Sequence, residues 1–137
     1  MRIISGNLKG SKLYMTKYKT TRPLKDLAKE SIFNMLIHSN KILFQFEKST
    51  VLDLYAGTGS FGLECLSREA RFVYFVESEK NAFSVLEKNI NKFKIGKKTK
   101  IFHNDIFLLM KKNIFEKKFD LIFCDPPFED KKILELI

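Results

Sequence analysis

Hydrophobic and polar positions follow two rhythms along this chain. Short runs rich in β-branched and aromatic residues cover Thr50–Tyr55, Arg71–Glu77, Lys100–Asn104 and Phe119–Cys124, and each reads as a strand. Between them the apolar residues recur at helical spacing. A helix is predicted from about Ser60 to Glu69. A second, capped by Ser78, carries Ala82, Val85, Leu86 and Ile90 on one face, and a short third covers Ile106–Lys112. Lys92–Lys100 reads as a basic loop. Ahead of this series, Arg2–Met15 shows brief strand-like runs punctuated by Gly6 and Gly10, which predicts a hairpin. Thr21-Arg22-Pro23 then opens a helix with Leu24, Leu27, Ala28, Ile32, Met35 and Leu36 on its apolar face. Strand and helix alternation of this kind predicts an α/β fold with a parallel sheet and right-handed crossovers. One domain is expected over residues 1–137, with an extension at 1–40 and a core at 50–137.

Parallel sheets of this class bind ligands beyond the C-terminal ends of their strands, so the residues at those ends carry the chemistry. V51-L-D-L-Y-A-G-T-G-S-F-G62 runs from a buried strand through a glycine turn into a helix. Its G-x-G-x-x-G spacing fits dinucleotides, and the same turn serves S-adenosylmethionine. Asp53, Glu77, Asp105 and Asp125 stand at or just after the four strand ends and are expected to gather on one rim. Glu77, at the second strand end, suits the hydroxyls of an adenosine ribose in either ligand. Asp53 separates the two ligands, since a carboxylate favours an ammonium and a sulfonium and opposes a pyrophosphate. Asp125-Pro126-Pro127-Phe128 follows the last strand. Two prolines stop a ladder and stiffen a turn, leaving carbonyls and a carboxylate as acceptors for an exocyclic amine, while Phe128 offers a ring on which a base can stack.

Charge sharpens the reading. The net charge is +9, and residues 1–29 hold eight Lys or Arg (Arg2, Lys9, Lys12, Lys17, Lys19, Arg22, Lys25, Lys29) against Asp26, eight minus one leaving +7 there. A basic segment beside a balanced domain is what phosphate-backbone binding requires. Cys65 and Cys124 belong to no C-x-x-C pair, so they predict reduced core residues and no zinc site. The polar N-terminus does not read as a signal peptide and no apolar run approaches the ~20 residues of a membrane span. No membrane association and a cytoplasmic location are expected.

D125-P-P-F resembles the [D/N]-P-P-[Y/F] motif of methyltransferases acting on exocyclic amines of adenine or guanine. R2-I-I-S-G-N-L-K-G, T21-R-P-L-K-D-L-A-K-E-S-I-F-N-M-L36, the glycine turn, G62-L-E-C-L-S-R68 and F75-V-E together resemble the bacterial small-subunit ribosomal RNA guanine-N2 methyltransferase family (RsmD type) over nearly the whole chain. Leu27 takes the place of a residue that is usually basic in that family. The resemblance implies a Rossmann-like S-adenosylmethionine-dependent methyltransferase fold, C-terminally shortened here, with the last strands missing. It implies that Asp53, Tyr55, Gly57, Thr58, Gly59, Glu77, Ser78, Asp105 and Ile106 bind the cofactor, with Asp105 at the adenine amine, and that Asp125, Pro126, Pro127 and Phe128 hold the target base. Lys9, Lys12 and Arg22 would contact RNA, the implied partner being ribosomal RNA in the small subunit and the family's target guanine 966 of 16S rRNA. A DNA adenine-N6 methyltransferase shares D-P-P-F, and an idle cofactor- or nucleic-acid-binding module stands as a third reading. With later strands absent, Phe119–Cys124 would leave an open edge suited to self-association.

Overall fold

The computed structural model describes residues 1–17, 26–113, 115, 117–127 and 129–136. Four parallel strands form one sheet: β1 (Thr50–Leu54), β2 (Phe72–Glu77), β3 (Thr99–His103) and β4 (Leu121–Cys124), in the order β3-β2-β1-β4. The helices are α1 (Asp26–His38), α2 (Ser60–Ser67), α3 (Lys80–Phe93) and α4 (Ile106–Lys111), with short 3-10 turns at Phe46–Lys48, Gly96–Lys98 and Lys131–Leu136. The chain builds outward from β1 to β2 and β3 and then returns to the other side of β1. The order therefore reverses between β1 and β4, and a crevice at such a reversal is where α/β sheets hold ligands.

Alternation along the strands divides the core into two layers. Val51, Val73 and Phe75 face one cluster with Phe33, Phe61, Leu63, Leu86 and Ile90, whereas Leu52, Leu54 and Val76 face the other with Ile106 and Leu109. Phe61 of α2 stacks on Phe123 of β4 at 3.7 Å and 7°, joining helix and edge strand beneath the crevice. Gly62 permits this close packing, because a Cβ there would lie 2.2 Å from the Phe75 ring.

Three expectations about the elements change. The buried face of α1 is Lys29, Phe33 and Leu36, while Leu27, Ala28 and Met35 of the expected apolar face are exposed. Phe33 draws the helix in by stacking on Phe61 (5.0 Å) and Phe46 (5.8 Å), and the carboxylate of Glu64 draws Lys29 inward. The start expected at Thr21-Arg22-Pro23 lies outside the described residues. Second, α3 is capped by Glu79 and not by Ser78: the Glu79 carboxylate accepts from Asn81 N and Ala82 N, and Ser78 stays exposed on the preceding turn. The expected basic loop shortens accordingly, since α3 runs to Phe93 and ends on Lys94 in left-handed backbone at φ 55°. Third, Cys124 is exposed at the end of β4, whereas Cys65 is buried. An edge strand covered on one face only leaves its alternate residues in water, and Ile122 and Cys124 are those residues.

The N-terminal hairpin is reduced to a single antiparallel bridge, Arg2 with Lys12, held by Ile3 N donating to Ser11 O (2.9 Å) and Gly10 N donating to Ile3 O (2.8 Å). Ile3 and Leu13 anchor it in the core. Among the described residues no helix is long and apolar enough to cross a membrane, and no group of three metal-ligating side chains occurs.

Candidate active site

The glycine turn leaves β1 through Tyr55, a non-glycine residue in left-handed backbone at φ 55°. Such a conformation costs of order 1–3 kcal/mol and persists where surrounding contacts hold it. Gly57 and Gly59 follow at φ 59° and 90°. The space above Gly57 is open, with nothing within 4 Å of where a Cβ would stand, while at Gly59 a Cβ would lie 2.5 Å from Leu86. The turn is thus packed on its inner side and clear on its outer side, as a backbone cradle for a ligand needs to be.

Two buried carboxylates fix the turn from below. Asp53 Oδ2 accepts from Gly62 N at 2.9 Å. Glu77 accepts from Gly57 N through Oε2 (2.7 Å) and from Glu79 N through Oε1 (2.8 Å), so the acid at the β2 end sets the backbone of the turn beside it. Burial pushes the Asp53 carboxyl up to about 8, opposed by the Gly62 hydrogen bond and reinforced by the negative charges of Glu77 and Asp125. The field that disfavours another negative charge here favours a cationic ligand over a pyrophosphate.

The remaining acids divide by whether they are already engaged. Asp105 caps α4, its Oδ1 accepting from Phe107 N at 2.9 Å and Leu108 N at 3.3 Å, which leaves Ile106 buried beneath. Ser78 is exposed at the rim, where its carbonyl meets His103 Nε2 at 3.1 Å. Thr58 is buried. Asp125 is exposed, and among the described residues its carboxylate has no hydrogen-bond partner. Pro126 is half-buried behind it and Pro127 exposed; Phe128 lies outside the described residues.

Asp130, which no sequence motif singles out, secures this loop. Its amide donates to Pro127 O at 2.9 Å, closing a turn, and its carboxylate accepts from Tyr55 Oη at 2.8 Å and from Lys132 N at 3.0 Å. The strained Tyr55 after β1 therefore ties the loop after β4 to the glycine turn, across the crevice where the strand order reverses. Burial, followed by the Asp130 contact, raises the Tyr55 hydroxyl far above its ordinary pKa, so it stays protonated as the donor. A D-P-P-x-x-D spacing with a tyrosine before the first glycine is the only trace of this contact in the sequence.

Known proteins show the family. The family described as Conserved hypothetical protein 95 matches residues 1–137. Ribosomal RNA small subunit methyltransferase D of Buchnera aphidicola is 36% identical, the match covering 98% of this chain and 68% of the relative. YlbH of Bacillus subtilis, provisionally named an rRNA methyltransferase, is 34% identical over 100% of this chain and 72% of its own length. The chain belongs to this methyltransferase family. A solved Haemophilus influenzae structure, HI0767, provisionally assigned as a methylase, superposes with a TM-score of 0.73 at 32% identity, covering 98% of this chain and 68% of that one. The fold is accordingly Rossmann-like. Methyltransferases of this type use S-adenosylmethionine, and the open glycine turn and acidic surroundings described above fit that cation.

The basic residues of the N-terminal segment divide as well. Arg2, Lys9, Lys12 and Lys17 are exposed, and Arg22 lies outside the described residues. Lys29, counted with them in the sequence, is fully buried: Nζ lies 3.4 Å from Glu64 Oε2 and donates to Arg2 O (2.9 Å) and Ser60 Oγ (3.1 Å). Burial lowers its pKa, with Glu64 opposing the shift. It is a structural cation and leaves the surface charge of the segment one smaller.

Proposed function

We propose that this chain transfers a methyl group from S-adenosylmethionine to the exocyclic N2 amine of a guanine in small-subunit ribosomal RNA. The observation that carries the reading is Asp125, a carboxylate with no partner among the described residues, on a proline-stiffened loop tied by Asp130 and Tyr55 to the glycine turn. The relatives' names supply the ribosomal substrate, and the target guanine comes from the family resemblance of the D-P-P-F motif.

When bound, the cofactor supplies an electrophilic methyl group on a positively charged sulfur. Gly57, Thr58 and Gly59 would cradle it, with Glu77 toward the ribose, Asp105, Ile106 and Ser78 on the adenine side, and Tyr55 closing the crevice. Asp53 holds the turn through Gly62, and the negative potential around it comes from Glu77 and Asp125. On the substrate side, a guanine amine is a weak nucleophile because its lone pair is delocalised into the ring. The Asp125 carboxylate and the Pro126 carbonyl accept its hydrogens, return electron density to nitrogen and orient it. Asp125 is also the nearest free base for the proton that leaves the amine. Holding nitrogen and methyl in line at roughly 3–3.5 Å supplies much of the acceleration as entropy already spent in binding. Phe128 would stack on the base. Lys9, Lys12 and Arg22 would meet RNA phosphates.

Asp125→Ala is expected to abolish transfer while leaving S-adenosylmethionine affinity within about twofold of the parent, because no cofactor contact is assigned to it. Parallel loss of binding and turnover would move Asp125 into the cofactor site and contradict the assignment.

A further inference from the structure

The basic N-terminal segment is tied at both ends to the glycine turn by buried side chains. At one end Lys29 Nζ joins the Arg2 carbonyl to Ser60 Oγ, and Ser60 is the first residue of α2. At the other, Asn89 of α3 is fully buried and uses its whole amide: Oδ1 accepts from Tyr14 N (2.8 Å), and Nδ2 donates to Tyr14 O (3.1 Å) and Thr58 O (2.9 Å). It pairs with Tyr14 as a neighbouring strand would and passes its second donor to the middle residue of the turn. Thr58 Oγ1 also points at Met15 Sδ, 3.9 Å away. Exposed Lys9 and Lys12 lie between the two ties, and Lys92 extends the same basic face, its Nζ donating to Lys12 O and sitting 4.9 Å from the Tyr14 ring centre.

The bond to Thr58 O holds the peptide plane between Thr58 and Gly59, whose N–H donates back to Ala56 O at 2.9 Å, and so helps set the shape of the turn. Undocking Tyr14 would leave the buried Asn89 amide without two of its three hydrogen bonds, which is costly, so segment and turn move together. RNA phosphates held by Lys9 and Lys12 favour the docked segment, and a ligand in the turn favours the same state.

We propose that Asn89 is the positioning residue through which RNA on the N-terminal segment and S-adenosylmethionine in the glycine turn raise each other's affinity. This rests on the functional reading above, which supplies both ligands. Linkage requires the two enhancements to be equal.

The test is calorimetry of S-adenosylmethionine binding with and without an in vitro transcript of small-subunit ribosomal RNA, in the parent and in Asn89→Leu. In the parent, the transcript is expected to tighten cofactor binding about fivefold or more, the lower end of ordinary coupling, and the cofactor to tighten transcript binding by the same factor. In Asn89→Leu, with a cooperative unfolding transition confirming the fold, the enhancement is expected to fall below about twofold while each ligand still binds alone. Full enhancement in the variant, or none in the parent, overturns the inference. A second measurement needs no variant: amide exchange at Tyr14 and Met15 of the parent should slow when S-adenosylhomocysteine is added, and unchanged exchange contradicts the coupling. A parent protein that binds neither ligand overturns the functional reading itself, a failure distinct from binding both without coupling.

Discussion

At the scale of single residues, the acids at the strand ends do different work from one another. Asp53 and Glu77 spend their oxygens on the backbone of the turn, Asp105 on the first amides of α4, and Asp125 is exposed and without a partner among the described residues. Asp53 makes a pH prediction. Its carboxyl, raised from 3.8 to about 8, keeps a proton in the folded protein that the unfolded chain gives up above pH 4 or so. Its contribution to stability is therefore complete below the unfolded value and is lost as pH rises through about 8. Urea unfolding from pH 5.5 to 8.5 should show the parent losing stability faster than Asp53→Asn, by up to about 1.4 kcal/mol per pH unit, with the Gly62 hydrogen bond kept by the amide oxygen. Equal slopes would place the carboxyl near its ordinary pKa. The motif positions were legible in the sequence because glycine spacing and strand ends are local features. The division of labour was not, since it depends on which backbone amide lies within 3 Å or so of each carboxylate.

At the scale of elements, strands were easier to read than the phase of the first helix. Short continuous apolar runs such as F-V-Y-F-V, rich in β-branched and aromatic residues, read as buried strands, and β1, β2 and β3 appear within a residue or two of their expected limits. On α1, by contrast, apolar residues lie all round, and the buried stripe is chosen by long-range partners: Phe61 and Phe46 for Phe33, Glu64 for Lys29. A cation at the end of a basic segment gives no local sign that it will be enclosed. Glu64 also accepts from Ile4 N (2.9 Å), Ser5 N (3.0 Å) and Arg68 Nε (3.0 Å), so Lys29 completes a network joining the N-terminal segment, α1 and α2. Lys29→Ala is expected to cost about 3–5 kcal/mol, the scale for leaving a buried charge without its partner. Leu27→Ala, at a position 76% exposed on the same helix, should change stability by less than about 0.5 kcal/mol. Denaturant midpoints of the two variants compare these directly, and a larger loss for Leu27→Ala would restore the amphipathic face read from the sequence.

At the scale of the whole molecule, β4 is both half of the crevice and an edge of the sheet. It pairs with β1 on one side only, among the described residues nothing pairs along its other side, and on its uncovered face Ile122 is 57% exposed. An open apolar edge of this kind pairs readily with another strand. The chain is therefore expected to associate as concentration rises, and sedimentation velocity across a hundredfold dilution series checks it; a single monomer boundary throughout would show the edge to be protected. The parallel sheet followed from strand and helix alternation, but alternation does not fix its order, and the Tyr55–Asp130 tie that spans the crevice joins residues 75 apart in sequence and could be seen only in the folded chain. That tie holds the loop after β4 against the glycine turn, and the proposed chemistry depends on the two being held together. The most direct measurement is methyl transfer itself: protein with methyl-labelled S-adenosylmethionine, offered immature small ribosomal subunits, naked small-subunit RNA or adenine-containing DNA, followed by nucleoside analysis of the labelled product. Label is predicted in N2-methylguanosine from the ribosomal substrates and none in the DNA; label in N6-methyladenine, or cofactor binding with no transfer to any of the three, would contradict the proposed function.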